Sequence, residues 1–431
     1  MELIDQESSV TRWLRRSSPL AFTIYASVAA FCLYTCIFAL RKTFTVATFS
    51  DISYLGIDYK IWLVMFQVMG YASAKFLGIK IISELKARSR AFGILLMSGI
   101  ATISWLFFAL VPHPYNIIFL FFNGMPLGLV WGMVFGYVEG RRNTDVLGAA
   151  LAVSFIFSAG LGKSVGGFVM RDWQVSEFWM PLVSSLLFFV PLLFFLWMLN
   201  QLPPPSAQDE AVRAKRQPMT GAERKKFVAT FMVGLVLLIL MYAMLTAFRD
   251  LRDNFSADVW KELGYDNPQI FTRTETPISL LILVIMGSIV FIANNYRAFM
   301  LVLVLILLGM VLLGVATWMF QEGLIGPPVW MTLIGMGLYL GYIPFNSVFF
   351  DRMLATFRYA GTVGFLMYLA DSVGYVGSIG VMFYKQFGRA DVSWLNYFIS
   401  GSYALSILGG GCILGAIFYF RRKYRGWVGE A

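Results

Sequence analysis

The chain holds one histidine, His113, among 431 residues. That scarcity excludes a histidine-built metal centre. No Ser-His-Asp set, no His-Glu-x-x-His run and no carboxylate pair stands at catalytic spacing, so neither an enzyme nor a cofactor is expected. Three cysteines cannot make a disulfide framework. Cys32 and Cys36 are four apart, a spacing that would suit a metal, but no histidine is near and both read as packing residues. Charge is scarce as well, at 13% of residues against about 25% in soluble domains. That excludes an ordinary soluble domain. A cleavable signal peptide is not expected, because the first apolar stretch is too long for one.

What fills the chain is apolar: 58% hydrophobic residues, 17% aromatic and a mean hydropathy of +0.71. Runs able to cross about 30 Å of hydrocarbon lie at Leu20 to Phe49, Ile61 to Ile82, Ala91 to Val111, Ile117 to Val138, Leu147 to Met170 and Phe178 to Leu199. Six more follow at Phe227 to Leu251, Thr276 to Ala293, Phe299 to Phe320, Val329 to Phe350, Thr362 to Tyr384 and Leu395 to Phe420. The expected fold is an all-α membrane protein of twelve transmembrane helices. A polar segment carrying Pro203, Pro204 and Pro205 divides it into six-helix bundles at 1–200 and 227–431, with 201–226 as linker. Transporters built of two such bundles hold their substrate near the midplane between them.

The net charge of +10 does not point to nucleic acid, because of where it lies. Basic residues occupy alternate connections, from Arg12, Arg15 and Arg16 through Arg213, Lys215 and Arg216 to Arg421, Arg422 and Lys423. The other connections hold acids such as Asp51, Asp172, Asp253, Asp258 and Glu322. By the positive-inside rule both termini and the linker are cytoplasmic. Economical loops point to a bacterial inner membrane and a monomer.

Two stretches repeat one skeleton. Tyr34, Ala39 and Arg41 stand in the first apolar run, and Tyr242, Ala247 and Arg249 in the seventh, at the same Tyr-x-x-x-x-Ala-x-Arg spacing. An arginine in a bilayer segment is costly and normally faces a cavity or a partner. Paired arginines at matching places in two halves point to an anion site between them. The competing reading is snorkelling, since Arg41 follows about 31 Å of apolar helix from Leu20 to Leu40. The apolar run resumes at Phe44, which favours the cavity. Tyr34 and Tyr242 either donate hydrogen bonds to a ligand or pack as amphipathic aromatics. Lys75 and Lys163 lie deep in the second and fifth runs. Ser164-Val165-Gly166 after Lys163 is echoed by Ser372-Val373-Gly374 after Asp371, with opposite charges at the matching place. Glu275, before Thr276 and Pro277, reads as a helix cap or as a functional acid. Glycines such as Gly124, Gly128, Gly335 and Gly337 read as close helix contacts.

Arg41-Lys42-Thr43-Phe44, Lys75-Phe76, Arg249 with Trp260-Lys261-Glu262, and Gly361-Thr362 through Ser372 resemble the organophosphate:phosphate antiporters of the major facilitator superfamily, the group of the glycerol phosphate and hexose phosphate transporters. The resemblance implies that Arg41 and Arg249 bind phosphate and that Lys75 joins the basic pocket. Two departures mark a divergent member. The family's fifth-helix histidine is replaced near Ser158 or Ala159, and the loop signature after the second helix is reduced to Gly78 through Arg90, with Glu84 as its only acid. The superfamily's architecture also implies that Lys75 with Asp371, and Lys163 with Glu275, form ion pairs between the bundles. The functional expectation is a secondary transporter of a small organic anion, first a phosphate ester or phosphate. The alternatives are a proton-coupled symporter in which Asp371 titrates, and a transporter-like receptor for an anionic ligand.

Overall fold

A computed structural model describes residues 8–50, 52–84, 89–138, 141, 144–204, 221–357, 363–388 and 392–429, with backbone alone over 75–84, 144–145, 221–224, 290, 363–365, 368 and 428–429. Most of the expected linker therefore lies outside the described residues, as does the side chain of Lys75.

A short helix α1 (Ser9–Arg16) precedes six long ones: α2 (Pro19–Lys42), α3 (Tyr59–Glu84), α4 (Arg90–Leu110), α5 (Ile118–Val138), α6 (Thr144–Arg171) and α7 (Met180–Asn200). The second half comprises α8 (Gly221–Glu262), α9 (Gln269–Val290), α10 (Asn295–Gln321), α11 (Pro327–Phe345) with the short α12 (Phe349–Thr356), α13 (Val363–Gly388), and α14 (Trp394–Ala404) continued through a π turn into α15 (Gly410–Gly429). Ten of these segments are long and apolar enough to cross a membrane; α3 and α13 complete the twelve. The chain is an integral, multi-pass membrane protein.

The helices start where polar caps allow. Ser18 accepts from the Ala21 amide ahead of Pro19, and Asn294 accepts from that of Arg297, each satisfying a backbone donor that the first turn leaves unpaired. Large apolar side chains also cover the outside: Val190, Phe194, Val236, Leu308 and Phe418 are exposed. Helices apolar on all sides belong in lipid.

Within the first half α3 packs on α5, α2 on α6 and α7, and α4 on α5; within the second α8 packs on α13 and α15, and α10 on α11. The halves meet where α6 lies against α9 and α3 against α13, and where the 3-10 turn Thr43–Val46 touches α8. Glycine sets the closest of these contacts. A Cβ on Gly124 would fall 2.2 Å from the Gln67 carbonyl oxygen, and one on Gly70 would fall 2.2 Å from that of Phe121. Across the halves, a Cβ on Gly160 would lie 2.8 Å from the Phe271 carbonyl oxygen, and one on Gly167 2.7 Å from Pro268.

Three boundaries differ from the sequence reading. The first span stops being α-helical at Lys42 instead of reaching Phe49. The seventh runs on to Glu262, so what reads as the longest outer connection is three further turns of helix, kept helical because its polar side chains find partners inside the protein. The eighth begins at Gln269, which places Glu275 within the helix and removes its reading as a cap. The connection after α2 also holds a small antiparallel hairpin, Ser53–Tyr54 with Ile57–Asp58. Its turn residues Leu55 and Gly56 have φ of 55° and 72°, the left-handed values a two-residue hairpin needs.

Gly124→Ala is expected to destabilise the protein by about 1–3 kcal/mol through overpacking, read as a lower melting temperature in detergent. Gly99→Ala, where a Cβ meets nothing within 4 Å, is expected to melt at or above the wild-type temperature. Equal melting of the two variants would contradict the close α3–α5 seam.

Candidate functional site

Arg41 is 8% exposed, and its guanidinium lies 4.0 Å from the centre of the Tyr71 ring on α3. Arg249, on α8, repeats the arrangement at 8% exposure and 4.0 Å over Tyr342 of α11. Burial to this depth excludes snorkelling for both. A guanidinium on a tyrosine face gains a cation–π contact in a desolvated setting. The Nε of each arginine has no hydrogen-bond partner.

The two rings belong to one aromatic cluster. Tyr71 meets Tyr375 of α13 at 5.7 Å, Tyr342 stacks on Tyr242 at 5.6 Å, and Phe155 of α6 touches Tyr342 at 6.0 Å and Phe38 at 5.9 Å. Tyr34 is buried with Tyr71, Arg41 and Tyr342 as its electrostatic neighbours. Both tyrosines of the repeated skeleton therefore border the cluster that carries the arginines. The Tyr242 hydroxyl donates to Asp371 Oδ1 at 2.7 Å and accepts from Asn346 Nδ2 at 3.1 Å.

The arginines differ in their counter-charges. Arg249 is ion-paired with its neighbour Asp250, whose Oδ2 accepts from the Ser378 hydroxyl at 2.8 Å. Among the described residues Arg41 has no carboxylate within ion-pair distance.

A second cluster begins about one turn beyond Arg249 toward the end of α8, at the end of the molecule away from the chain termini. Asp253 accepts from two lysines of the first half, from Lys42 Nζ at 2.8 Å and from Lys163 Nζ at 3.3 Å. Lys42 also donates to Asn254 Oδ1 at 2.7 Å, and Lys163 to the Ser256 hydroxyl at 3.0 Å. Lys60 Nζ reaches Asp258 at 2.6 Å and the Thr45 carbonyl at 3.0 Å. Within the second half Arg252 pairs with Glu275 at 2.7 Å and donates to the Met331 carbonyl at 3.1 Å. Gly335 leaves the room: a Cβ there would fall 2.7 Å from the Arg252 guanidinium.

The expected Lys163–Glu275 pair is therefore replaced. Lys163 takes Asp253, and Glu275 takes Arg252, because α8 extends between them and presents both partners. Asp371 is held by Tyr242; its expected partner Lys75 stands on α3, with a side chain outside the described residues. Ser158 donates to the Thr35 carbonyl at 2.6 Å, a packing role. His113 lies between Tyr59 and Phe178. No histidine, cysteine and carboxylate group suited to a metal occurs among the described residues.

Sequence reasoning missed Lys42, Lys60, Arg252, Asp253 and Asp258 as site residues. The signal was present: Arg249, Arg252, Asp253 and Ser256 recur at the spacing of one helical face, through a segment whose polarity reads as loop.

Solved structures share this architecture. The chain superposes with a TM-score of 0.58 on a D-xylose–proton symporter, at 16% identity over 94% of this chain and 97% of that one. The score is 0.55 on the human organic anion transporter MFSD10, at 14% identity over 94% and 100%. It is 0.59 on a bacterial homologue of the human drug peptide transporters PepT1 and PepT2, at 12% identity over 94% and 99%. The fold is thus the major facilitator fold. The chain belongs to a family of unknown function, DUF5690, which it matches over residues 43–423. No curated protein matches the sequence.

Asp253→Asn leaves Lys42 and Lys163 buried without their carboxylate, and is expected to cost about 3–5 kcal/mol in detergent unfolding. Adding Lys42→Gln to that variant should recover part of the loss, because the two residues share one interaction. Fully additive losses would show that Asp253 does not serve both lysines.

Proposed function

We propose that the chain is a secondary transporter of a small organic anion, a phosphate ester or phosphate before others, working by alternating access between halves at 1–200 and 227–431 joined by the linker 201–226. The observation that carries this reading is the pair of guanidiniums, one from each half, laid on tyrosine faces inside the bundle with their Nε atoms unbonded. Guanidinium forks match the oxygens of phosphate and carboxylate, and a dry surrounding strengthens the attraction.

The local charge supports an anion. Arg41, Lys42, Lys60, Lys163, Arg249 and Arg252 are buried with Asp250, Asp253 and Glu275, and with Asp258 at the rim of the second cluster. Even with Asp371 added, cations exceed carboxylates. A bound anion offsets that excess and draws the two arginines together. The other requirement of alternating access is a closure that can break. Lys42, Lys163 and Lys60 of the first half grip Asp253 and Asp258 of the second at one end of the molecule; opening that end would return these charges to water, where their solvation offsets the lost pairing. Exchange needs no coupling ion if the empty carrier, with its unbalanced charge, reorients slowly. In this reading Tyr34, Tyr242 and Lys75 line the substrate site, and the termini face the cytoplasm of a bacterial inner membrane.

The test is a thermal-shift screen of purified protein against phosphate, phosphate esters, carboxylates and neutral sugars, with Arg41→Ala and Arg249→Ala beside the wild type. A ligand at a hundredfold excess over its Kd stabilises the folded state by about 2.7 kcal/mol. Phosphate compounds are expected to raise the melting temperature of the wild type and of neither variant, and to exchange across vesicles carrying the wild type alone. Variants that respond as the wild type does would make the arginines structural and end the proposal.

A further inference from the structure

The tyrosine cluster that carries the two arginines also holds a carboxylate. Asp371 is half-buried on α13, and three elements fix it: its own helix, Tyr242 of α8 through the 2.7 Å hydrogen bond, and Asn346 at the end of α11, which donates to the same tyrosine hydroxyl. Tyr242 stands seven residues before Arg249, two turns away on the same face of α8. Tyr375 stands one turn after Asp371 on α13 and meets Tyr71, whose ring carries Arg41. The electrostatic neighbours of Tyr375 include both Asp371 and Arg41, and those of Tyr342 include both Asp371 and Arg249. All three charged groups thus border one ring of tyrosines. Among the described residues Asp371 nevertheless forms an ion pair with neither arginine.

To a simple anion that carboxylate is a repulsive neighbour. Its Oδ1 is aligned by a neutral hydroxyl, which leaves the negative charge in place. The side chain is open enough to be reached. Guanidiniums on one side and, on the other, a carboxylate that no cation among the described residues pairs with make a bipolar site.

We propose that the substrate is an organic anion that also bears an ammonium group, its anionic end held by Arg41 and Arg249 and its ammonium by Asp371. This rests on the anion-transport reading above and narrows it. Asp371 becomes the residue that sets specificity: it binds the ammonium through a charge-assisted hydrogen bond and rejects an anion of the same size that lacks one.

Two matched ligand pairs test the idea by calorimetric titration: aminoethyl phosphate against ethyl phosphate, and β-alanine against propionate. For whichever anionic group binds, the wild type is expected to favour the amino-bearing member about tenfold, the contribution of one charge-assisted hydrogen bond. Asp371→Asn should lose that preference and bind the plain anion more tightly than the wild type does, still dependent on Arg41, which also reports that the variant is folded. Asp371→Glu should restore part of the preference, and Tyr242→Phe, which frees the carboxylate from its hydrogen bond, should reduce it. A wild type that binds both members equally, or favours the plain anion, overturns the bipolar substrate and leaves the anion site standing. Equal loss of both members in Asp371→Asn also overturns it, since the residue then does not discriminate between them. Binding that is indifferent to Arg41→Ala and Arg249→Ala instead brings down the anion reading itself.

Discussion

Charge buried in a membrane protein must find a partner, and in this chain one carboxylate serves several. Asp253 sits between Lys42 and Lys163, with Asn254 and Ser256 each taking one further ammonium donor. It belongs to one half and both lysines belong to the other, so a single side chain ties the end of α2, the middle of α6 and the last third of α8. The extension of α8 beyond the apolar stretch carries that group, the 3-10 turn after α2 follows directly on Lys42, and Glu275 pairs with Arg252, the residue beside Asp253. Water would serve each charge as well; inside the bundle only this arrangement does.

The arginine pair obeys a different rule. Among the described residues neither guanidinium is ion-paired with a residue of the opposite half. Each rests on a tyrosine of its own half instead, Arg41 on Tyr71 and Arg249 on Tyr342, and the rings themselves meet around Tyr375, Tyr242 and Phe155. An aromatic face tolerates a cation without cancelling it. The charge of Arg41 therefore remains available at the centre, that of Arg249 is shared with Asp250, and at the far end the lysines are each paired with a carboxylate of the other half. That division separates a surface suited to a mobile ligand from one suited to holding the halves closed.

How much of this could be read from the sequence depended on which physical signal carried it. Twelve spans were legible because lipid demands continuous apolar helix, and hydropathy reports that directly. Arg41 and Arg249 were legible because a cation stands out in an apolar run and because the Tyr-x-x-x-x-Ala-x-Arg skeleton occurs twice. The partners were not. Arg252, Asp253 and Asp258 follow the last apolar residues of their run and look like the start of an outer loop, although their spacing is helical. Their burial is decided by Lys42, Lys163, Lys60 and Glu275, from distant parts of the chain, and no local pattern encodes that. Glu275 stayed open between a cap and a functional acid for the same reason: beside Thr276 and Pro277 it resembles a cap, and only the approach of Gly160 and the reach of Arg252 show it to be interior.

The seams between the halves are unequal. Along α6 and α9 the chains come nearly to backbone contact, because Gly160 and Gly167 present no side chain to Phe271, Glu275 and Pro268. Along α3 and α13 the meeting is of ring edges, Tyr71 against Tyr375. Backbone contact through glycine resists separation but permits rotation, as a hinge pin does, whereas ring edges can slide past one another. Any relative turning of the halves that spares the glycine seam has its axis there, and its greatest travel falls on the opposite face, beside the arginine that lies on Tyr71.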